Sequence, residues 1–264
     1  MFMRIFSVKG ISNMISTLIL VGIFLTVIIA SSVFALSVFE IESQNAEFAQ
    51  AEGNMIALAQ IIEEVSLHPY SSSYLRFNTR VGRLNFMNNW GVINVTISDN
   101  STTTTFSFDL GVLEYIGGEK VGVPGEKILR GNNSLIIMDE TEPLGVVVEK
   151  QENGARIVVD FSRIRVTSLG IVEYRDENGE EKNFSLVEVK FIDLNLIKVY
   201  SGAGPTTLIV ENLNLTTNSL RLNSPATITV TINGESESVI VGESADVVLI
   251  DFVVANIGFT FRGG

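Results

Sequence analysis

The feature that most constrains this chain is an uncharged run of 29 residues close to its N-terminus, from Ile11 to Phe39. As an α-helix the run would be about 44 Å long, at about 1.5 Å per residue. The hydrocarbon core of a bilayer is about 30 Å thick, and about 20 residues are needed to span it. The run is therefore long enough to cross a membrane, and the fold must give it an apolar environment.

The charges on the two sides of this run predict its orientation. Arg4 and Lys9 precede it, and no lysine or arginine follows until Arg76. Six glutamates lie between the run and Arg76: Glu40, Glu42, Glu47, Glu52, Glu63 and Glu64. Because basic flanks stay in the cytoplasm, we predict a single-pass membrane precursor whose N-terminus is cytoplasmic and whose residues after Phe39 are extracellular.

The helical pattern continues beyond the uncharged run. Apolar residues recur every seven positions, which places them on one face of a helix. They are Leu20, Val27, Phe34, Ile41, Phe48, Met55 and Ile62. A second row, three residues further on, contains Gln44, Ala51, Leu58 and Val65. His68-Pro69 predicts the stop, because the residue before a proline is disfavoured in a helix. We therefore predict one helix from about residue 11 to 67, within an N-terminal region of residues 11–68.

Residues 69–264 have the period-two pattern of β-strands. In Ala226–Ile232 apolar side chains alternate with threonines, and the following Asn233-Gly234 is a strong hairpin signal. Asn153-Gly154 and Asn178-Gly179 repeat this signal. Further strands are predicted over residues 92–97, 104–110, 134–139, 156–161, 164–167, 184–192 and 247–254. The last of these is nearly all apolar, which predicts a strand covered on both faces.

These patterns predict an α+β fold class. A long hydrophobic N-terminal α-helix is followed by an extracellular all-β globular domain, sandwich-like and Ig-like, over residues 69–264. Whether the β region forms one or two sheets stays open. A net charge of −12 disfavours nucleic-acid partners.

Catalytic and metal chemistry have few candidate residues here. There is no cysteine, and His68, the one histidine, falls at the predicted helix end. The acidic turn at Asp176–Glu181 is more typical of a solvated hairpin tip than of a calcium site. We predict neither an enzyme nor a cofactor or metal site.

A specific pattern stands at the start of the uncharged run. Lys9-Gly10 followed by the uncharged segment Ile11–Leu20 resembles the class III signal peptide of type IV pilin-like proteins, and in particular the start of archaeal pilins and archaellins. The resemblance implies that residues 1–10 are a leader, which a prepilin peptidase removes by cutting between Gly10 and Ile11. Ile15 stands where bacterial pilins usually have a glutamate, which favours the archaeal branch.

The resemblance also implies an assembly route. A platform protein and an assembly ATPase would draw the subunits from the membrane into a helical filament. The alternative is a secretory cleavage site at Val33-Phe34-Ala35. Cleavage there would divide the seven-residue pattern in two.

The two parts of the predicted helix have different requirements. The inner part, Leu18–Phe39, is apolar nearly all round, so outside lipid it must be buried by copies of itself. The outer part, from about Ile41 to Val65, is expected to pack on the β domain of its own chain. Close approach of helices is favoured by small residues, which here are Gly22, Ala30, Ser31, Ser32 and Ala35.

The leading hypothesis is a homo-oligomeric pilin of an archaeal adhesion filament on the cell surface. Two alternatives remain open. One is a minor pilin or a membrane-anchored cell-envelope binding protein that does not polymerise. The other is an archaellin of a motility filament.

Five N-x-[ST] sequons lie in the predicted extracellular domain. Their asparagines are Asn94, Asn100, Asn132, Asn183 and Asn214. We expect some of these five to be glycosylated, and the positions in exposed loops are favoured.

Overall fold

The structure, a computed structural model, describes residues 9–175, 180–200 and 205–263. A single long helix, α1 (Lys9–Val65), precedes a β domain. The strands found in the described residues are β1 (Ser72–Phe77), β2 (Arg83–Ser98), β3 (Thr103–Ile116), β4 (Lys127–Arg130), β5 (Ile136–Ile137), β6 (Val146–Gln151), β7 (Ala155–Asp160), β8 (Ile164–Arg175), β9 (Glu181–Tyr200), β10 (Thr206–Asn223), β11 (Ala226–Ile232), β12 (Glu235–Val241) and β13 (Val247–Gly263). The α+β class, with a long apolar helix and a sandwich-like domain, is confirmed.

The strands form two sheets. The first sheet has the order β1-β10-β13-β9-β8-β5, and the second has the order β12-β11-β2-β3-β7-β6-β4. Most neighbouring strands are antiparallel, whereas β13 and β9 run parallel over a long register that starts at Val247 and Phe184. The β region is therefore two sheets, which the sequence left open.

Two of the predicted Asn-Gly turns are present as tight hairpins. Between β6 and β7 the loop has three residues, because Gln151 pairs with Ala155, and its Asn153 and Gly154 have φ angles of 51° and 115°. Asn233 and Gly234 alone join β11 to β12, with φ angles of 49° and 91°. Positive φ at both positions of this second turn is the geometry that Asn-Gly favours in two-residue turns. Asn178-Gly179 lies outside the described residues.

Helix α1 runs beside β10 in the same direction. Gln50 lines a cavity together with Pro205, at the start of β10. At the other end, the Asn212 side chain donates a hydrogen bond of 3.0 Å to the carbonyl of Val65. The 15 residues of helix between these points rise about 22 Å, and the seven residues of strand rise about 23 Å. The first sheet then continues past the helix, because β13 extends ten more residues from Ile257 to Val247, or about 33 Å.

The domain has two hydrophobic cores, which lie on opposite faces of the first sheet. On β13 the even-numbered residues from Val248 to Val254 belong to the distal core, beyond the end of α1. The odd-numbered residues from Ala255 to Phe261 belong to the proximal core, which contains α1. Successive side chains of a strand point to opposite faces, so the buried face of β13 changes between Val254 and Ala255.

The second sheet contributes to both cores because it crosses the first sheet beside β9. Leu110 belongs to the distal core and Leu113 to the proximal core. Between them, a Cβ atom at Gly111 would lie 2.7 Å from the carbonyl oxygen of Leu194. Glycine is therefore required at this position, where the backbones of β3 and β9 come closest.

Several strands differ from their prediction. The segment predicted at 134–139 contains only the two-residue β5. The expectation that Val247–Val254 is covered on both faces is wrong, because Val247, Leu249 and Val253 are only partly buried and Asp251 is exposed. The predicted helix end at residue 67 is two residues late, since α1 ends at Val65 and a turn includes His68.

Candidate assembly surface

The N-terminal half of α1 is exposed and apolar. The large apolar side chains from Met14 to Phe39 are exposed, and the helix meets the length and composition of a membrane span while none of that window is buried. Among the predicted assembly residues, Leu20 and Val27 are both 55% exposed, Phe34 is 70% exposed and Ile41 is 40% exposed. These four side chains are available to a partner.

Several hydroxyl groups in this half form hydrogen bonds within the helix. Thr26 donates to the carbonyl of Gly22 at 2.9 Å, and Ser32 donates to the carbonyl of Ile28 at 2.8 Å. Ser37 makes the same kind of bond to Phe34. A hydroxyl bonded to a carbonyl one turn earlier does not need water. The surface therefore suits lipid or a packed helix bundle despite its serines and threonines.

One face of the C-terminal half of α1 is buried in the domain. The other three predicted assembly residues, Phe48, Met55 and Ile62, are at most 4% exposed and belong to the proximal core. The second row, from Gln44 to Val65, is buried as well. The seven-residue pattern is therefore one continuous row on the helix, divided after Ile41 between two environments.

Glu47 fixes the helix where it enters the domain. Its Oε1 atom accepts hydrogen bonds of 3.0 Å from the backbone N–H of Arg80, from that of Gly82 and from the Tyr115 hydroxyl. Burial by itself would raise the pKa of Glu47, but these bonds and one from Val81 outweigh it and lower that pKa below its usual value. Burial beside Glu47 raises the pKa of Tyr115.

A second polar anchor holds the far end of α1. The Glu63 carboxylate binds both terminal nitrogens of Arg130, at 3.1 and 2.7 Å, and accepts the backbone N–H of Gly145 at 2.7 Å. Paired geometry of this kind is the stronger form of an ion pair. We call Glu47, Glu63 and their partners the helix clamp. In the sequence these two glutamates count only among the six that follow the uncharged run, and no local pattern distinguishes them from Glu42 or Glu64.

Two cavities flank α1 where its exposed half begins. One, of about 490 Å³, is lined by Glu40, Gln44 and Lys120 among others. The other, of about 610 Å³, is lined by Ser43, Ala46 and Arg80 among others. The base of the domain is therefore open on both sides of the helix.

The predicted cleavage site lies at the start of α1. The described part of α1 includes Lys9, Gly10 and Ile11, so the backbone on both sides of the Gly10–Ile11 bond is helical. Residues 1–8 of the predicted leader lie outside the described residues.

The five sequons differ in their surroundings. Asn100, in a turn after β2, and Asn214, in β10, are exposed. Asn94 and Asn183 are half-buried within paired strands, and the serine of the latter sequon, Ser185, is buried. The Asn132 side-chain nitrogen donates to Glu142 at 2.8 Å. Asn100 and Asn214 therefore have the most accessible side chains.

No group of three or more His, Cys, Asp or Glu side chains in the described ranges is arranged to hold a metal ion. Most of the acidic turn, Asp176–Gly179, lies outside those ranges. Comparisons with protein-family models, with curated proteins and with solved structures gave no match.

Proposed function

We propose that this chain is a structural subunit of an extracellular filament of the archaeal type IV pilin kind, with adhesion as its role. The observation that carries the proposal is the division of α1. Its C-terminal half is clamped in the chain's own domain, while Met14–Phe39 projects as an uncharged helix with exposed apolar side chains. Outside lipid, such a segment is stable when other apolar helices cover it.

The membrane is the holding state in this proposal. The precursor spans it once with a cytoplasmic N-terminus. Prepilin peptidase cuts between Gly10 and Ile11, and the platform protein and the ATPase move the subunit into the filament. Small residues such as Gly22, where a Cβ atom would meet nothing within 4 Å, allow the helices to approach each other.

The β domain forms the outer surface of the proposed filament. Its exposed sequons, at Asn100 and Asn214, are the expected glycan sites. Mass spectrometry of peptides from the mature protein should find glycan at Asn100 and none at Asn132, whose amide nitrogen is bonded to Glu142. Glycan at Asn132 in place of Asn100 would contradict this assignment.

The test combines microscopy with the mature N-terminus. Sheared cell-surface material should contain fibres in which this chain is the dominant protein, and mass spectrometry should find Ile11 as its first residue. A mature chain that begins at Met1 or at Leu36 would contradict the proposal. A chain that begins at Ile11 but is scarce in the fibres would favour a minor pilin or an anchored binding protein.

A further inference from the structure

The face of the first sheet that binds α1 continues past the end of the helix. In the proximal half this face includes Ala255 and Ile257 of β13, packed in the core that contains α1. Because side chains on one face recur every second residue, the same face continues through Val253, Asp251, Leu249 and Val247. The partner residues on β9 confirm the alignment, since Ala255 pairs with Ile192, Leu249 with Leu186 and Val247 with Phe184.

The distal end of this face is apolar and only partly covered. Leu169, Val172 and Tyr174 are at least 50% exposed. The remaining members of the patch are half-buried. We call the patch the shelf, and it consists of Leu169, Val172, Tyr174, Phe184, Leu186, Val247 and Leu249.

The shelf has a packed surface. The rings of Tyr174 and Phe184 meet edge to face with centroids 6.0 Å apart, and the Arg221 guanidinium lies 5.8 Å from the Phe184 centroid. The side chains therefore support each other in a fixed apolar surface.

Two concavities follow each other along this face. A cavity of about 310 Å³ lies at the end of α1, lined by Leu67, Leu144 and Ile192 among others. A second, of about 280 Å³, lies on the shelf and is lined by Leu169, Leu186 and Leu249 among others. The face is therefore a shallow groove that continues the seat of α1.

The charges between the two concavities balance. Asp251 pairs in register with Glu188, and the next row on this face pairs Lys190 with Arg165. Two acidic and two basic side chains thus form a band with no net charge. Arg221 lies beside this band, because it pairs with Leu249 and lines the shelf cavity together with Asp251. The charges along this face are few and mixed in sign, so they do not favour a strongly charged partner.

We propose that the shelf binds the uncharged half of α1, Met14–Phe39, from a second copy of the chain, an inference that rests on the proposed function. The same face already binds the C-terminal half of α1 in each subunit, so the second helix continues an existing type of helix–sheet contact. The segment is the longest exposed apolar element in the described residues. Its 26 residues measure about 39 Å as a helix, so they are long enough to cover the open strand from Val253 to Val247, which is about 20 Å long.

Cysteine cross-linking tests this contact directly, because the natural chain has no cysteine. Leu249→Cys is combined with single cysteines scanned over Leu18–Phe39, and the assembled, sheared filaments are oxidised. We expect disulfide-linked dimers in which Leu249→Cys is joined to scan positions three or four residues apart, as for one face of a helix. The joined peptides are identified by mass spectrometry, and each single-cysteine filament serves as a background.

Ile240→Cys is the matched control. Ile240 is 54% exposed and apolar, but it lies on β12 in the second sheet. Filaments that form normally but link Leu249→Cys no more than Ile240→Cys would overturn the shelf contact and leave the filament proposal standing. If the wild-type chain forms no filament, the proposed function fails and this inference fails with it.

A charge substitution gives a second readout. Leu249→Lys should reduce the yield of filaments at least tenfold, whereas Ile240→Lys should leave it unchanged. Thermal unfolding of both full-length variants in detergent establishes that the β domain folds. Equal filament yields from two folded variants would contradict the proposal.

Discussion

The two halves of α1 share one continuous helix and have opposite surroundings. From Gln44 to Val65 one face of the helix packs against strands of both sheets, and Glu47 and Glu63 fix it there. From Met14 to Phe39 its large apolar side chains are not covered by any of the described residues. This difference shows that a regular apolar pattern identifies a helix face that needs a partner. The pattern does not show whether that partner is the same chain or another molecule.

The largest expected effect is the loss of filament assembly when a charge is introduced into the exposed half of α1. Val27→Glu should abolish filaments, because an unpaired carboxylate in a water-free helix bundle costs several kcal/mol. The β domain should unfold at an unchanged temperature, since Val27 does not belong to either core. Electron microscopy of sheared fibres and thermal unfolding of the full-length variant in detergent measure the two outcomes. Normal filaments from Val27→Glu would contradict a buried position, and Val27→Leu is the matched control.

A substitution in the C-terminal half of α1 is expected to change the stability of the domain. Met55→Ala should lower the free energy of unfolding of the domain by about 2–5 kcal/mol, because Met55 is fully buried and the truncation leaves a cavity. Val33→Ala, in the exposed half, should leave that free energy unchanged. Urea unfolding of full-length variants in detergent checks both. A similar loss in both variants would mean that the exposed half also contributes to the fold of the subunit.

The helix clamp predicts that the C-terminal half of α1 makes the stability of the fold depend on pH. The pKa of Glu47 is lowered from 4.5, so its ionised carboxylate stabilises the fold above about pH 4.5, and this contribution is lost as the pH falls through the folded pKa. Glu47→Gln should therefore have a lower free energy of unfolding than wild type at pH 7. This difference between the two proteins should disappear as the pH falls.

Urea unfolding measured for both proteins between pH 7 and pH 3 tests the pH prediction. The carboxyl group of Glu149 has a pKa raised by burial and by Glu52. Its contribution has the opposite sign and cancels in the difference between the two proteins. A difference in the free energy of unfolding that stays constant from pH 7 to pH 3 would contradict the role assigned to the Glu47 charge.

The smallest effects are expected from substitutions of two glycines in α1. A Cβ atom at Gly22 or at Gly53 would meet nothing within 4 Å. Gly53→Ala should stabilise the domain by about 0.5–1 kcal/mol, because alanine has less conformational freedom to lose on folding than glycine. Gly22→Leu should leave the domain unchanged and reduce filament yield, since a large side chain keeps neighbouring helices apart. Equal filament yield for Gly22→Leu and wild type would place Gly22 away from helix contacts.

Much of the fold could be predicted from local patterns. The length of α1 follows from the uncharged run and the seven-residue pattern, and the hairpins at Asn153 and Asn233 follow from turn chemistry. β10 was missed because threonines and asparagines hide its alternation in Thr206–Asn223. The short strands β1 and β4 carry too few residues for a reliable period.

The arrangement of the cores could not be predicted. The change of buried face at Val254–Ala255 appears in the sequence as consecutive apolar residues, which also fits a strand covered on both sides. The clamp depends on contacts across long sequence separations, such as Glu63 with Arg130 and Gly145. Such contacts have no signature in a single sequence. The exposed apolar half of α1 was predictable because its requirement, an apolar environment, is local.

The parallel course of α1 and β10 has a mechanical consequence. A pull on the exposed half of the helix acts along the strands, so the buried side chains from Phe48 to Val65 and both polar anchors are loaded together in shear. Contacts loaded in this way must fail at nearly the same time, whereas a helix peeled from one end loses them one by one. The contacts of the domain with α1 therefore resist tension along the helix axis.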